Sequence, residues 1–454
     1  MTTIQACHLL LDEGFVTPGH VICDEHGLIS AVGPGPATAP DVILRGYVVP
    51  GMPNVHSHAH HRGLVGHADR LESGRASTLW SWREIMYRHV LRLEPDDLEA
   101  YATLAYIEML RRGYTSVGEF HYLHHDRTGE RYATLGEMSH RIVAAAEAAG
   151  IALTLLPSLY TSGGVGLPSE PEQRRFTTTV DEYLALVDEI DHLGPTRPWL
   201  RVGIAPHSLR AVRPAELLAT LAARPNGPVH IHASERPEEV EEVRTGLGAR
   251  PVEWLLASAE VDARWCLIHA THLTKGERRS LARSGAVAGL CPLTEANLGD
   301  GRFPLAPYRH DGGRFAIGTD ANHLIDLPGE LRMLEYGQRL QSTRRESLLA
   351  EGETSAGEAL FRLARTGGTQ ALGQLSGAIR PGLRCDLVEL DETHLALSGQ
   401  TPSTVLDAWI FSTATDTLVR TVFVGGKLVI SDGHHPLERE AAVRVATVMK
   451  RLSL

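Results

Sequence analysis

The chain has 454 residues, 43% hydrophobic and 22% charged, with 44 basic against 55 acidic side chains and a formal net charge of −11. A chain of that size buries a large core, and one barrel plus a smaller domain is its natural division. The acidic balance argues against a nucleic-acid or anionic-membrane partner, and no segment has the apolar length that spans a bilayer. Local arginine pairs, Arg111-Arg112 and Arg174-Arg175, read as solvated helix ends or loops. Cys7, Cys23, Cys266, Cys291 and Cys385 are scattered, odd in number and free of any C-x-x-C pair. That pattern fits a reducing compartment and opposes a disulfide framework or structural zinc knuckle. The first dozen residues show no basic stretch followed by an apolar run, so no signal peptide is expected and the location reads as cytoplasmic.

In chain order, the first segment carries short alternating strands, with Val21-Ile-Cys and Leu28-Ile-Ser-Ala-Val around a Glu25-His-Gly27 turn. From residue 48 the pattern changes. Strand-like apolar runs recur near 52–56, 115–120, 151–156, 200–205, 228–233, 265–270, 286–290 and 314–319, mostly with helical patterns between them. The stretch from Asp96 to Gly113 has acids first, apolar residues at helical spacing, arginines last and a glycine stop. Leu135 to Gly150 repeats the plan. Alternating β and α elements imply a parallel sheet covered by helices, and eight strands suggest a (β/α)₈ TIM-like barrel with its site at the strand C-termini. An open doubly wound sheet is the competing architecture, but it lacks a Gly-rich dinucleotide fingerprint here. The last segment returns to strands, Asp386-Leu-Val-Glu-Leu and then Thr421 to Ile430 around a Gly-Gly hairpin turn. The expected fold is therefore α/β. Residues 1–47 and 376–454 form a small composite β-sandwich domain with a terminal helix, and 48–375 form the barrel.

The chemistry sits at the ends of the barrel runs. His56 and His58 close the first, and residues i and i+2 of an extended segment point to one face, so two imidazoles can share an ion. His232 and Glu235 close the fifth, His269 the sixth and Asp320 the eighth. Each has a plainer reading: an edge-strand histidine pair, a helix cap at Asp320, a first-turn acid at Glu235, a core histidine at 269. Convergence of all of them favours a metal-dependent hydrolase. His230 packs below His232, and His124, His125, His434 and His435 carry no site.

The strings H-S-H, H-I-H-A-S-E, L-I-H-A and G-T-D at these strand ends resemble the amidohydrolase superfamily. Ala205-Pro-His207 stands where two-metal members carry a lysine, so the resemblance is to the one-metal deaminase branch. Longer strings run from Trp80 to Tyr87, Gly118 to His125, Ala205 to Arg210, Cys291 to Gly301 and Leu334 to Leu340. They resemble the formimidoylglutamate deiminase family, which hydrolyses N-formimino-L-glutamate to N-formyl-L-glutamate and ammonia in histidine degradation. The resemblance implies one divalent ion, zinc first and iron or manganese as alternatives, on His56, His58, His232 and Asp320. It implies catalytic roles for Glu235, His269 and Asp320, substrate contacts from Arg83, Tyr122, His207 and Arg210, and a homodimer. Two positions depart from the family pattern. His61 replaces a substrate-contacting Gln, and Ala-Asn-His323 follows Asp320 where a Ser-His start is expected.

The expected mechanism uses the ion to make hydroxide available at neutral pH. Asp320 with His269 takes the water's proton, and Glu235 protonates the leaving nitrogen. Arg83 and Arg210 hold carboxylates, or else snorkel and pair with a nearby Glu. Two other functions stay open: a related deaminase of another formimino, guanidino or cyclic amidine compound, and a barrel kept only as a binding scaffold.

Overall fold

The structure is a computed structural model that describes residues 1–67, 79–345, 347–412 and 418–452. Of the string from Trp80 to Tyr87, the side chains before Arg83 lie outside the described residues. Strands Met52–Ser57, Tyr114–His121, Ala152–Leu159 and the two pieces Leu200–Val202 and Ala205–Pro206 make one parallel sheet. Strands Val229–Ala233, Trp265–His269, Val287–Leu290 and Arg314–Ile317 make another. Single parallel bridges, Ile204 to Val229 and Ser57 to Asp320, join the two sheets at both seams. The first three of these strands are buried along their whole length, as parallel strands covered on both faces must be.

The helices start and stop where local chemistry directs. In Pro95–Arg111 the side chains of Glu94 and Asp97 exchange hydrogen bonds with each other's backbone, and Pro95 fills the first turn. Glu137–Ala149 ends on Gly150 at φ 75°. Helix Ala356–Leu372 closes the ring from below, where the Ala371 carbonyl meets His230 Nε2 at 2.9 Å and the Leu372 carbonyl accepts from Thr154 Oγ1 at 2.9 Å. His230 thus packs beneath the site, as its place in the strand implies.

The two chain ends share one eight-stranded sheet. Val42–Pro50 runs parallel to Thr2–Leu11 on one side and antiparallel to Leu387–Leu390 on the other. The sheet curls until its flanks touch: Ile29 N donates to Leu383 O and Cys385 N to Gly27 O, both at 2.8 Å. It encloses its own core, including Ile4, Leu9, Val21, Leu44, Leu387 and Phe423. The hairpin from Val419–Val424 to Lys427–Ile430 turns on Gly425 and Gly426, at φ 55° and 71°, a conformation glycine adopts without penalty.

One reading of the sequence is overturned. Arg175 is not solvated but fully buried. Its guanidinium donates to the carbonyls of His125 and Leu93, each at 2.9 Å, and to that of Val90, while its own carbonyl accepts from the amides of His124 and His125. It ties the end of helix Leu79–Val90 to the loop after strand Tyr114–His121, a job only a five-donor side chain can do. Arg175→Met should orphan several buried carbonyls and lower stability by about 3 kcal/mol. The measurement is the chemical-denaturation midpoint, with Arg175→Lys recovering part of the loss.

Candidate active site

His56, His58, His232 and Asp320 meet at the mouth of the ring. His56 and His58 end the first barrel strand, His232 lies in the fifth, and Asp320 follows the eighth. The His56 and His232 Nε2 atoms are 3.1 Å apart, and Asp320 Oδ1 is 3.4 Å from Nε2 of both His56 and His58. Ligands about 2.0–2.1 Å from a tetrahedral zinc lie about 3.3 Å from one another, so the spacing fits an ion. The tautomers fit as well. His58 Nδ1 meets the Phe120 carbonyl at 2.8 Å and His232 Nδ1 the His207 carbonyl at 3.0 Å. A carbonyl only accepts, so those nitrogens carry the proton and both Nε2 lone pairs face inward. Burial, reinforced at His56 and His232 by neighbouring imidazoles, holds all three rings below their ordinary pKa and hence neutral.

The seam needs glycine. A Cβ on Gly318 would stand 2.8 Å from His56 N and 2.9 Å from its carbonyl oxygen, so the glycine of G-T-D lets the last strand reach the first. Of eight non-glycine residues at positive φ among the described residues, Ser234, His269, Ala270, Asp320 and Asn322 all lie at these strand ends. Backbone strain is thus concentrated where side chains are turned into the cavity. Asp320 does not cap the next helix, which begins at Leu327 with Asp326 before it.

Glu235 and His269 flank the cluster. His269 Nε2 is 4.0 Å from Glu235 Oε1 and 3.9 Å from Asp320 Oδ2, while its Nδ1 is 3.2 Å from Glu295 Oε1. Burial works against charge on this ring, but Glu235, the bond to Glu295 and Asp320 lift its pKa to about 10. Glu235 lies two residues before helix Pro237–Leu247, its backbone amide held by Glu239 Oε2 at 2.7 Å.

The five expected substrate contacts all line one cavity with the cluster at its floor. His61 Nε2 meets the Tyr122 hydroxyl at 2.6 Å, and the His61 ring lies 4.8 Å from that of His58. His207 packs against His232 and Tyr160, with ring centroids at 4.8 and 4.9 Å. Arg83 donates to the Tyr87 hydroxyl from its own helix. Burial opposes the charge on Arg210, yet Glu239, Tyr160 and Glu235 more than offset it.

Several lining residues escaped the sequence. Met86, Tyr87, Tyr160 and Phe176 line the same cavity, and buried Gln173 joins the Tyr87 and Tyr160 hydroxyls at 3.3 and 3.0 Å. Tyr87 at least ends one of the quoted strings, whereas Tyr160, Phe176 and Gln173 had no signal. Below the metal ligands, Glu119 accepts from Ala59 N at 2.6 Å and Ser57 Oγ at 2.7 Å, and burial raises its pKa to about 8. Asn322, in the segment that departs from the family pattern, donates to Ser57 Oγ at 3.0 Å and accepts from Thr319 Oγ1 at 2.6 Å. It ties the last strand end to the first.

A ring of parallel strands with convergent candidate metal ligands, a flanking acid and a strand-end histidine defines a hydrolase class, and the chain belongs to the amidohydrolase family, matched over residues 47–429. It is 42% identical to formimidoylglutamate deiminase of Pseudomonas aeruginosa, with 100% of both chains covered. A crystal structure of an amidohydrolase from Brucella melitensis, 42% identical, superposes with a TM-score of 0.94 over 100% of both chains. A zinc-bound adenosine deaminase from Xanthomonas campestris, 23% identical, shares the fold at a TM-score of 0.84, covering 99% of this chain and 98% of the other.

Proposed function

We propose that the chain is a deiminase that hydrolyses N-formimino-L-glutamate to N-formyl-L-glutamate and ammonia. The observation that carries this reading is the cavity itself, in which Arg83 and Arg210 stand over the four-ligand cluster. Two guanidiniums suit a dicarboxylate whose amidine end reaches the floor. The full-length similarity to formimidoylglutamate deiminase of Pseudomonas aeruginosa supports the same substrate.

His56, His58, His232 and Asp320 would hold one divalent ion, and their N/O donor set suits zinc, with iron or manganese as alternatives. When bound, that ion lowers the pKa of water and polarises the substrate. Asp320 accepts a proton from the attacking water. His269, whose Nε2 stands 3.9 Å from Asp320 Oδ2, orients that water together with it. Glu235, carrying a proton when substrate is bound, gives it to the imino nitrogen as the water oxygen bonds to the formimino carbon. The proton on Asp320 then passes to the resulting amino group while Glu235 takes the hydroxyl proton. The carbon–nitrogen bond then breaks and ammonia leaves. Arg210, Arg83, Tyr122 and His207 orient the glutamate portion, and His61, bonded to Tyr122, takes the place of the family's Gln.

The chain ends, 1–47 and 376–454, are read as one sandwich domain around the barrel of 48–375. The scattered free cysteines suit a cytoplasmic home in a histidine-degrading pathway, and the family resemblance favours a homodimer. A second reading, a deaminase of another formimino, guanidino or cyclic amidine compound, is favoured by the His61–Tyr122 bond, which changes the cavity wall. Ammonia release measured side by side on N-formimino-L-glutamate, a guanidino acid and an aminoheterocycle separates the two. Preference for the first, with KM rising about 10²-fold in Arg210→Met, is the expected result. Preference for either other compound overturns the substrate, and absence of stoichiometric metal from the purified protein overturns the enzyme.

A further inference from the structure

His269 ends its strand at φ 68° and Ala270 follows at φ 47°. Two consecutive residues in the left-handed region are costly, and here they swing the His269 ring into the cavity. Something must then fix which ring nitrogen faces the reacting atoms. Glu295 sits behind the ring, in helix Pro292–Leu298 after the strand Val287–Leu290, and is 3% exposed. Its Oε1 lies 3.2 Å from His269 Nδ1 and accepts from Cys291 N at 2.9 Å.

Capping the helix alone would not require a carboxylate at this depth. A carboxylate out of water is expensive unless its partners need it, and a neutral serine or asparagine at the N-cap supplies an oxygen to a helix more cheaply. The second bond, to His269, is the one with a chemical consequence. An ionised carboxylate only accepts, so Nδ1 carries a hydrogen and Nε2 is the nitrogen left facing Glu235 Oε1 and Asp320 Oδ2 at 4.0 and 3.9 Å. Without that anchor the ring is free to flip, which turns a carbon instead of Nε2 toward the substrate.

We propose that Glu295 is a positioning residue of the hydrolytic site, fixing the orientation of His269 through Nδ1 while its bond to Cys291 N locks its own carboxylate in place. It is not among the residues lining the cavity, and it acts through His269. The proposal rests on the deiminase reading for its kinetic consequence but not for its geometry.

The test uses the zinc-loaded full chain and three variants, Glu295→Gln, Glu295→Leu and His269→Asn. Proton NMR should show a far-downfield imidazole N–H resonance that vanishes in His269→Asn and in Glu295→Leu. In Glu295→Gln, whose amide oxygen still accepts both bonds, it should survive at a less extreme shift. With N-formimino-L-glutamate, kcat should fall about 10-fold in Glu295→Gln and about 100-fold in Glu295→Leu. KM and zinc content should stay near wild type, a split that general loosening of the fold would not produce. Persistence of the resonance in Glu295→Leu, or loss of the resonance with kcat unchanged, overturns the proposal. If Glu295→Leu fails to fold, a Glu295→Gln variant with unaltered resonance and kcat overturns it instead. Should wild type leave N-formimino-L-glutamate untouched while the resonance still depends on residue 295, the substrate reading fails and the positioning role stands, and kcat is then compared on whichever amidine the enzyme turns over.

Discussion

Glu235→Gln is expected to lower ammonia release by about 10³-fold while leaving the metal content unchanged. The side chain's surroundings suit proton transfer better than coordination. Its backbone amide is fixed by Glu239 at 2.7 Å, Ser234 before it is turned to φ 53°, and its Oε1 stands 4.0 Å from His269 Nε2. The groups whose donor atoms crowd closely enough to share an ion are drawn from His56, His58, His232, His269, Cys291 and Asp320, and Glu235 is not among them. Glutamine keeps the shape and can still donate or accept a hydrogen bond, but it cannot carry a proton from water to nitrogen. A loss of about 10³-fold corresponds to about 4 kcal/mol of barrier, the scale of a missing general acid. Steady-state ammonia release and metal analysis of the same preparation decide the matter. Turnover within a few-fold of wild type would remove Glu235 from the chemistry.

The sequence made the ligands legible because parallel-barrel chemistry is written at strand ends. An apolar run that stops on a histidine or aspartate is visible without coordinates, and His56, His58, His232, His269 and Asp320 all follow that rule. The helices at Pro95–Arg111 and Glu137–Ala149 were equally plain, since their caps and glycine stops are local. The strand in two pieces, Leu200–Val202 and Ala205–Pro206, was legible only as a single run, because its interruption depends on how the neighbouring sheet is met.

What sequence could not reach is what depends on distant partners. Arg175 looks like half of a surface pair until Val90, Leu93 and His125 are brought around it, and nothing local marks a buried guanidinium that bonds only carbonyls and a tyrosine. Tyr160 and Phe176 line the cavity from loops with no strand-end signature. The protonation of His269 was out of reach for a related reason. Its pKa is raised by Glu235, Glu295 and Asp320, which are separated by up to 85 positions.

Asp320→Asn separates the two tasks assigned to that carboxylate, and it should reduce zinc affinity and, even with zinc restored, leave turnover at about one-thousandth of wild type or less. Asparagine is the right probe because residue 320 lies at φ 45°, a region that Asn and Asp enter at lower cost than other non-glycine residues. The backbone seam should survive, since Asp320 N donates to His56 O and its carbonyl accepts from His58 N, both at 2.9 Å and both independent of the side chain. What changes is chemistry alone. A neutral amide oxygen is a weaker partner for a dication than a carboxylate, so zinc should be lost on dialysis against a chelator at concentrations that wild type withstands. Excess zinc should refill the site because His58 and His232 keep their lone pairs inward through the bonds to Phe120 and His207. Refilling should not restore the rate, because an amide cannot take the water's proton. Zinc titration followed by ammonia assay on the saturated variant reads both effects in one series. Full recovery at saturation would assign Asp320 to coordination only and move the proton to another acceptor. Zinc affinity equal to wild type would mean that the carboxylate is no ligand, and the four-ligand centre would have to be redrawn around three histidines.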